Sequence, residues 1–299
     1  MPKVVIAGGT GFIGRALVAD FVGSGWEVVL LSRSGSRNSE IRTAAWDGKR
    51  QGDWSRELEG AEAVLNLSGA PIDQVWTDPA KEEIRRSRVD STLAIGTALA
   101  DLKIPPKVWI NSSAIGWYGD TGTFEVSEAS PAGKGFLADT CEAWEAAVDE
   151  VASPVRKVKM RTGVVLGRGG GALEPLLKLT KLGLGGAAGN GRQFISWIHL
   201  QDLLALYRWV VETPEIQGPV NATSPNPVTN AVFMQELRSA CHRPWSPPVP
   251  AFMLSIGARA IGTQPDLILI SQRVAPQIAE AHDFPFRFPT LREALKNLI

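Results

Sequence analysis

The chain has 299 residues, and its 31 lysine and arginine residues balance 31 aspartate and glutamate residues, so the formal net charge at pH 7 is zero. A neutral chain of this length can bury a large core but has no net field to attract nucleic acid or an anionic membrane, so we expect neither as a partner. Only Cys141 and Cys241 are present and no apolar run reaches about 20 residues, which argues against a disulfide framework and a membrane helix and favours the cytoplasm.

A glycine-rich motif begins at the fourth residue, where the sequence reads VVIAGGTGFIG. It predicts a strand, a tight turn and a helix that bind a dinucleotide, because glycines allow the turn and the close approach of a pyrophosphate to the helix start. Apolar residues then recur at helical spacing until Gly23 and Gly25 end the helix. Because the motif begins so near the first residue, we expect no targeting peptide before it. The expected cofactor contacts here are Gly8, Thr10, Gly11, Phe12, Ile13 and Gly14.

The next predicted strand, Glu27 to Leu31, is followed by Ser32, Arg33 and Ser34. An NAD site usually places an acidic residue here to hold the ribose 2′-hydroxyl, and this segment has none. Arg33 can instead pair with a 2′-phosphate while the two serine hydroxyls donate hydrogen bonds. The sequence therefore predicts NADP(H) as the cofactor, with a solvated loop arginine as the alternative.

Strand-like and helical segments alternate over the first two thirds of the chain. Apolar runs at residues 63–67, 108–112 and 155–162 are separated by amphipathic stretches that begin near Thr77 and Leu137. This alternation predicts an α/β fold with a doubly wound parallel Rossmann sheet.

The texture of the sequence changes after residue 166, where glycine-rich loops and clustered prolines predict a smaller C-terminal substrate lobe. We expect an NADP-binding Rossmann domain over residues 1–165, to which residues 194–222 return. The substrate-binding lobe then consists of residues 166–193 and 223–299.

Ligands of such sheets lie at the carboxyl ends of the strands, so the residues that follow each strand are candidates. Ser113 can polarise a substrate carbonyl through a hydrogen bond, and Trp117 is expected to contact the substrate. Alternatively, serines at strand ends only cap helices or satisfy loop backbone. The remaining expected cofactor contacts are Leu67, Ser68, Gly69, Ala70, Ser112, Arg161 and Gly163.

Few other polar side chains suit catalysis. His199 is a candidate general acid or base, or else a hydrogen-bonded histidine that positions its segment. Asp202 is expected to cap a helix over residues 203–211. Gln193 and Trp197 are expected to contact the substrate, and the three scattered histidines and two distant cysteines show no metal-ligand spacing, so no metal is predicted.

Several motifs occur together and in order: GGTGFIG, NLSGAPI, SSAIGWYGD, RTGVVLGRGGGAL, GRQFISWIHLQDL, NATSPNPVTN and FRFPTLREAL. With them the whole chain resembles the atypical extended short-chain dehydrogenase/reductases. This epimerase-like family is also called nucleoside-diphosphate-sugar epimerases or SulA-type proteins. The resemblance implies a seven-strand parallel sheet, a smaller C-terminal lobe and bound NADP(H), and it places GRQFISWIHLQDL on a loop that lines the substrate cleft.

One departure from the family bears on catalysis. Extended dehydrogenases carry Tyr-x-x-x-Lys on the helix after the SSA-like strand, whereas here Leu137 and Cys141 stand near those positions when counted back from Glu145. Leucine has no proton to give, and a neutral thiol lacks the positive charge that lowers the pKa of a tyrosine. Tyr118 corresponds instead to the tyrosine that follows the serine strand in sugar epimerases, and it remains a candidate proton donor.

Two functions are consistent with these observations. The first is hydride transfer on a carbonyl, alcohol or nucleotide-sugar-like small molecule, which the motifs after Gly183 favour. The second is a non-catalytic NADPH-binding sensor or scaffold that acts through a protein partner, which the missing Tyr-Lys pair favours. Fold alone does not choose between them.

Overall fold

A computed structural model describes residues 1–33, 41–250, 252–253 and 264–299. Its central sheet consists of seven parallel strands: β1 (Lys3–Ala7), β2 (Glu27–Ser32), β3 (Arg42–Ala45), β4 (Ala63–Asn66), β5 (Val108–Ala114), β7 (Arg156–Thr162) and β11 (Gly218–Ala222). They lie side by side in the order β11-β7-β5-β4-β1-β2-β3. The shorter strands are β6 (Glu125–Val126), β8 (Val164–Leu166), β9 (Phe194–Ile195), β10 (Trp197–His199), β12 (Val228–Thr229) and β13 (Arg273–Val274).

Helices cover both faces of this sheet, as the doubly wound prediction requires. The helices are α1 (Phe12–Gly23), α2 (Asp78–Ala100), α3 (Phe136–Asp149), α4 (Leu173–Lys181), α5 (Leu200–Glu212), α6 (Asn230–Ala240), α7 (Asp266–Leu269), α8 (Gln277–Ala281) and α9 (Leu291–Leu298). Buried residues of α1 and α5 pack with one face of the sheet, and those of α2 and α3 pack with the other. The predicted fold class is confirmed.

A third apolar cluster, which we call the lobe core, buries Trp197, Phe233 and Leu295 together. The lobe segments are not wholly separate from the sheet, because Ala279 and Phe284 pack in the same cluster as β1 and α5. Across the described residues, no helix is long and apolar enough to cross a bilayer.

The ends of several elements differ from the prediction. Strand β5 continues two residues beyond Ser112, to Ala114. The expected Asp202 cap is wrong, because α5 begins at Leu200 and His199 caps it by accepting a hydrogen bond from the Gln201 N–H. The Asp202 carboxylate instead accepts from the backbone N–H groups of Arg287 and Phe288, at 2.9 and 3.0 Å. It therefore ties α5 to the C-terminal segment.

Packing dictates the glycines of the turn between β1 and α1. Gly8 has φ +77°, a left-handed conformation that L side chains rarely adopt. A Cβ on Gly14 would lie 2.4 Å from the Gly8 carbonyl oxygen and 2.7 Å from the Gly9 Cα. Only glycine at position 14 lets the helix approach the turn this closely.

Replacing Gly14 with alanine is expected to lower the free energy of unfolding by roughly 1–3 kcal/mol, because the added methyl group meets backbone atoms that cannot move away. Gly23 at the end of the same helix is the matched control, since a Cβ there has no neighbour within 4 Å among the described residues. Gly23→Ala is expected to stabilise the protein by about 0.5–1 kcal/mol. Urea unfolding of both variants measures the difference, and equal effects would contradict the packing argument.

Candidate functional site

The turn between β1 and α1 leaves backbone groups available at the helix start. Gly11 is the residue before α1, and no hydrogen bond from a described side chain caps this end of the helix. A Cβ built on Gly11 has one neighbour among the described atoms, the Gly8 carbonyl oxygen at 3.5 Å. Thr10 is exposed beside it. Unpaired N–H groups and the helix dipole favour an anion at this position.

The first turn of α1 is covered by the glycine-rich segment after β8. Phe12 and Ile13 are half-buried. A Cβ on Gly170 or Gly171 would come within 2.6 or 2.8 Å of the Phe12 ring. These glycines therefore let the segment pack on Phe12 and close one side of the predicted cofactor turn.

A buried amide pair shapes the end of β4. The Asn66 side chain donates to the Asn111 side chain at 2.8 Å and accepts from the Ser68 N–H at 3.1 Å. Leu67 and Ser68 are half-buried, and Gly69 packs against the Arg88 side chain. The predicted cofactor contacts at residues 67–70 thus lie in one fixed segment beside the glycine turn.

Arg88 holds the far end of that segment. Its Nη1 donates to the carbonyl oxygen of Ala70 at 3.1 Å, and its guanidinium lies 5.1 Å from the Trp144 ring centroid. Burial lowers the pKa of Arg88. The sequence analysis did not single out this residue, because its partners lie far away in the chain.

Arg33 lies exposed just after β2, and Ser32 is buried. Ser34 lies outside the described residues. Glu83 on α2 is an acidic residue whose pKa Arg33 affects. The pKa of Glu83 is lowered mainly by a hydrogen bond from Arg86, and the positive charges of Lys49 and Arg33 lower it further. Arg33 and Lys49 are therefore both near enough to Glu83 to lower the pKa of its carboxyl group, and Lys49 is a cation that the sequence analysis missed.

A buried ion pair lies at the carboxyl end of β7, next to the end of β5. Glu145 on α3 accepts two hydrogen bonds from Arg161, from Nε at 2.8 Å and from Nη2 at 2.9 Å. The Ser113 hydroxyl donates to the same carboxylate at 2.6 Å. All three side chains are buried. The sequence analysis predicted a catalytic role for Ser113 and a cofactor contact for Arg161. In the structure, both side chains are hydrogen-bonded to the Glu145 carboxylate, to which the sequence analysis gave no role.

The network continues to Tyr118 through Arg161. Arg161 Nη1 donates to the Tyr118 hydroxyl at 2.9 Å, and that hydroxyl donates to Asn221 on β11 at 2.7 Å. The Arg161 guanidinium also lies 4.0 Å from the Trp117 ring centroid. Burial raises the pKa of Tyr118 to about 12, so this phenol holds its proton tightly at neutral pH.

Leu137 and Cys141, which counting from Glu145 puts near the positions of the family's tyrosine and lysine, both lie on α3. They face the 3-10 helix after β5 (Ile115–Tyr118), since a Cβ on Gly116 would lie 3.2 Å from Leu137 Cβ and 3.4 Å from Cys141 Sγ. Burial raises the pKa of Cys141 to about 12. One face of α3 thus carries Leu137, Cys141 and Glu145 at intervals of four residues, and this spacing is a signal that could have identified Glu145 as buried.

His199 belongs to a different environment. Its ring lies 4.0 Å from that of Phe288, and its Nδ1 accepts from the Gln201 N–H at 3.0 Å. Burial lowers the pKa of His199 to about 4, so the ring is neutral at physiological pH. In the part of the chain that the structure describes, no hydrogen bond joins His199 to Ser113 or Tyr118.

Other residues that were predicted to contact the substrate or the cofactor make contacts within the protein. Trp197 is fully buried in the lobe core, and Gln193 donates to the Ala188 carbonyl at 3.0 Å. A Cβ on Gly163 would lie 2.6 Å from the Ser196 carbonyl oxygen. The expected loop over residues 191–203 instead forms β9, β10 and the start of α5. Ser112 Oγ lies 3.3 Å from the buried Tyr207 hydroxyl.

A cavity of about 220 Å³ opens next to Leu137. Residues from the start of α2, the start of α3 and the segment around α7 form its walls. Its lining consists of Trp76, Lys81, Gly119, Lys134, Gly135, Phe136, Leu137, Gln264, Asp266 and Ile270. None of these residues was predicted as a contact. Within the described ranges, no cluster of three or more His, Cys, Asp or Glu side chains is arranged to hold a metal ion.

Glu145→Gln is expected to lower the free energy of unfolding by roughly 3–5 kcal/mol, because it leaves the buried Arg161 guanidinium without its counter-charge. The matched control is Glu62→Gln, which removes a partly exposed 2.6 Å pair with Lys107 and is expected to cost at most about 1 kcal/mol. Denaturant unfolding at neutral pH measures both variants. A loss for Glu145→Gln no larger than that for Glu62→Gln would show that the buried pair is not structural.

Comparison with known proteins agrees with this geometry. The sequence pattern of the NAD-dependent epimerase/dehydratase family matches residues 4–222, and a domain of unknown function matches residues 249–298. The mouse epimerase family protein SDR39U1 is 36% identical over 308 residues, which cover 99% of each chain. A Mycobacterium bovis epimerase family protein is 38% identical and covers 98% of this chain and 96% of its own. An Arabidopsis thaliana relative, 34% identical over 99% of this chain and 86% of its own, is described as chloroplastic, so the cytoplasm stays a prediction.

Solved structures extend this result. Human SDR39U1, crystallised with NADPH, superposes with a TM-score of 0.89 at 33% identity, over 99% of this chain and 98% of that one. A nucleoside-diphosphate sugar epimerase from Corynebacterium glutamicum has a TM-score of 0.82 at 32% identity and covers all of this chain but 58% of its own. The NADPH in the human protein supports the cofactor predicted from Arg33. The predicted family is confirmed: the chain belongs to the NAD-dependent epimerase/dehydratase family.

Proposed function

We propose that this protein binds NADP(H) at the turn between β1 and α1 and uses it for hydride transfer to or from a carbonyl or alcohol group of a small molecule. In this proposal, residues 1–165 with 194–222 bind the cofactor, and the remaining residues bind the substrate. The observation that carries it is the uncapped start of α1, where Gly11 leaves open space beside free N–H groups. The residues present fit a dinucleotide pyrophosphate, which needs close backbone approach and N–H donors.

The edge of the sheet near Arg33 supports a 2′-phosphate. Arg33 is exposed, and Lys49 lies near enough to act on the same Glu83 carboxylate. Positive charge at this edge of the sheet favours a doubly charged phosphate over a neutral hydroxyl. NADPH in the human relative agrees with this choice.

The bound nicotinamide would supply the hydride. The protein would bind and orient the cofactor and the substrate, and it would exclude water from them. The Ser113 hydroxyl already donates a hydrogen bond to the Glu145 carboxylate, and the Tyr118 hydroxyl donates one to the Asn221 side chain. We therefore assign both side chains to positioning, as parts of the network that fixes the ends of β5 and β7. The proton for the substrate oxygen would come from another group or from water beside Leu137.

A second candidate function is a non-catalytic NADPH sensor that acts through a protein partner. Leu137 and Cys141 at the Tyr-Lys positions favour it, because the leucine cannot give a proton and the Cys141 pKa is raised to about 12 by burial. The cavity beside Leu137 favours the enzyme, since a protein that only senses NADPH has no need of a second small-molecule site.

Arg33→Ala is expected to weaken NADPH binding by roughly 1.5–3 kcal/mol and to leave NADH binding nearly unchanged, because a charge-assisted hydrogen bond to the 2′-phosphate is lost. Arg56→Ala is the control, since Arg56 is exposed and pairs with the exposed Asp53 at 3.4 Å. Calorimetric titration with both cofactors measures the effect. Equal affinity of the wild-type protein for NADPH and NADH would contradict the assignment of Arg33.

A screen of carbonyl compounds with NADPH, followed at the nicotinamide absorbance, tests turnover. The proposal expects at least one compound to oxidise NADPH in the wild-type protein and not in Gly11→Val, whose added side chain would occupy the predicted pyrophosphate space. Unfolding of Gly11→Val must remain cooperative, as the open space at Gly11 predicts. NADPH binding without turnover of any compound would favour the sensor.

A further inference from the structure

The cavity beside Leu137 has a lining whose charges are not balanced. Lys81 and Lys134 line it together with one acidic residue, Asp266. Within the described residues, neither lysine has an ion-pair partner within 4 Å. The Asp266 carboxylate accepts a hydrogen bond from Gln264 at 3.2 Å. The lining thus carries two cations and one carboxylate, and no carboxylate of the described residues lies within 4 Å of either lysine.

Two aromatic rings line the same cavity. The Trp76 and Phe136 ring centroids are 4.8 Å apart at an angle of 60°, and Lys81 Nζ lies 5.6 Å from the Phe136 centroid. Lys134 is a further cation of this lining. A planar apolar group can pack on such a pair while its charged end meets the lysines.

The position and size of the cavity restrict the ligand. Leu137 stands at the position of the family's catalytic tyrosine, so the cavity borders the place where a reacting group is expected. Its volume of about 220 Å³ lies below the roughly 300–1,000 Å³ typical of sites for drug-sized ligands. A compact molecule therefore fits better than an extended one.

The start of α3 adds to the positive character. Gly135 precedes α3 with φ +101°, and among the described residues no side chain caps this end of the helix. Asp139 in the first turn offsets part of the dipole. The argument therefore depends on the two lysines and the aromatic pair, and the helix end only reinforces it.

We propose that this cavity binds a compact acid, a carboxylate or phosphate monoester with a planar apolar group, through Lys81, Lys134 and the Trp76–Phe136 pair. This inference rests on the proposed function in treating the ligand as the substrate. The charged end meets the lysines, and the planar group packs on the rings. Asp266 can accept a hydrogen bond from a hydroxyl of the same molecule, and Gln264 can donate one to its hydroxyl or carbonyl, because both residues line the cavity.

Calorimetric titration with three aromatic probes tests the inference: benzoylformate, phenyl phosphate and methyl benzoylformate, the neutral ester of the first. Each is titrated with and without saturating NADP⁺, which supplies no hydride to a ketone. At least one acid should bind, and the ester should bind roughly tenfold more weakly or worse, as expected for loss of a charge-assisted contact. Binding of one acid alone identifies its acid group as the one recognised.

Four variants, one of them a control, locate the binding. Lys81→Gln and Lys134→Gln should each weaken binding of the acid roughly tenfold while leaving the ester unchanged. Lys178→Gln is the matched control, because Lys178 is an exposed lysine on α4 outside the cavity lining. Phe136→Leu should weaken benzoylformate more than pyruvate, which has no ring.

The inference is overturned if no acid binds, if the ester binds as well as the acid, or if Lys178→Gln weakens binding as much as Lys81→Gln. A parallel NADP⁺ titration keeps the two proposals distinguishable. Binding of the acid without NADP⁺ binding would remove the proposed function and leave the anion site. NADP⁺ binding without binding of any acid would do the opposite.

Discussion

The buried pair between Glu145 and Arg161 is the interaction on which the site depends. It connects α3 to β7, and through Ser113, Tyr118 and Asn221 it reaches β5, the 3-10 helix after it and β11. Charges removed from water are stable only when every partner is present and well oriented. The polar residues at this edge of the sheet are therefore committed to one another, which leaves few of them for chemistry.

This commitment changes how the catalytic candidates are understood. A serine at the end of a strand and a tyrosine just after it are typical candidates for a general acid and a group that orients the substrate. Here the Ser113 hydroxyl is hydrogen-bonded to Glu145, and the Tyr118 hydroxyl is hydrogen-bonded to Asn221. Burial raises the pKa of Tyr118 to about 12, so releasing its proton is costly at neutral pH. In the described part of the chain, the cavity lysines Lys81 and Lys134 have no ion-pair partner within 4 Å, and they suit recognition of an anion better than proton transfer.

The turn after β1 and the cavity beside Leu137 differ in the groups that form their surfaces. At the cofactor turn, backbone N–H groups and missing Cβ atoms create a place for phosphate, and the side chains matter little. In the cavity beside Leu137, long cationic side chains and two aromatic rings define the surface. The fold thus presents a backbone surface at the turn after β1 and a side-chain surface near the starts of α2 and α3.

The sequence by itself determined the strand-turn-helix at the start, the alternation of strands and helices and the family, because these follow from local spacing of glycines and apolar residues. Only the tertiary structure decided the surroundings of Ser113, Tyr118 and Arg161, since Glu145 and Asn221 approach them from segments far away in the chain. The same holds for Trp197, whose burial in the lobe core follows from α6 and α9 packing over it. Local patterns specify elements, whereas the partners of a buried polar group are set by how distant elements meet.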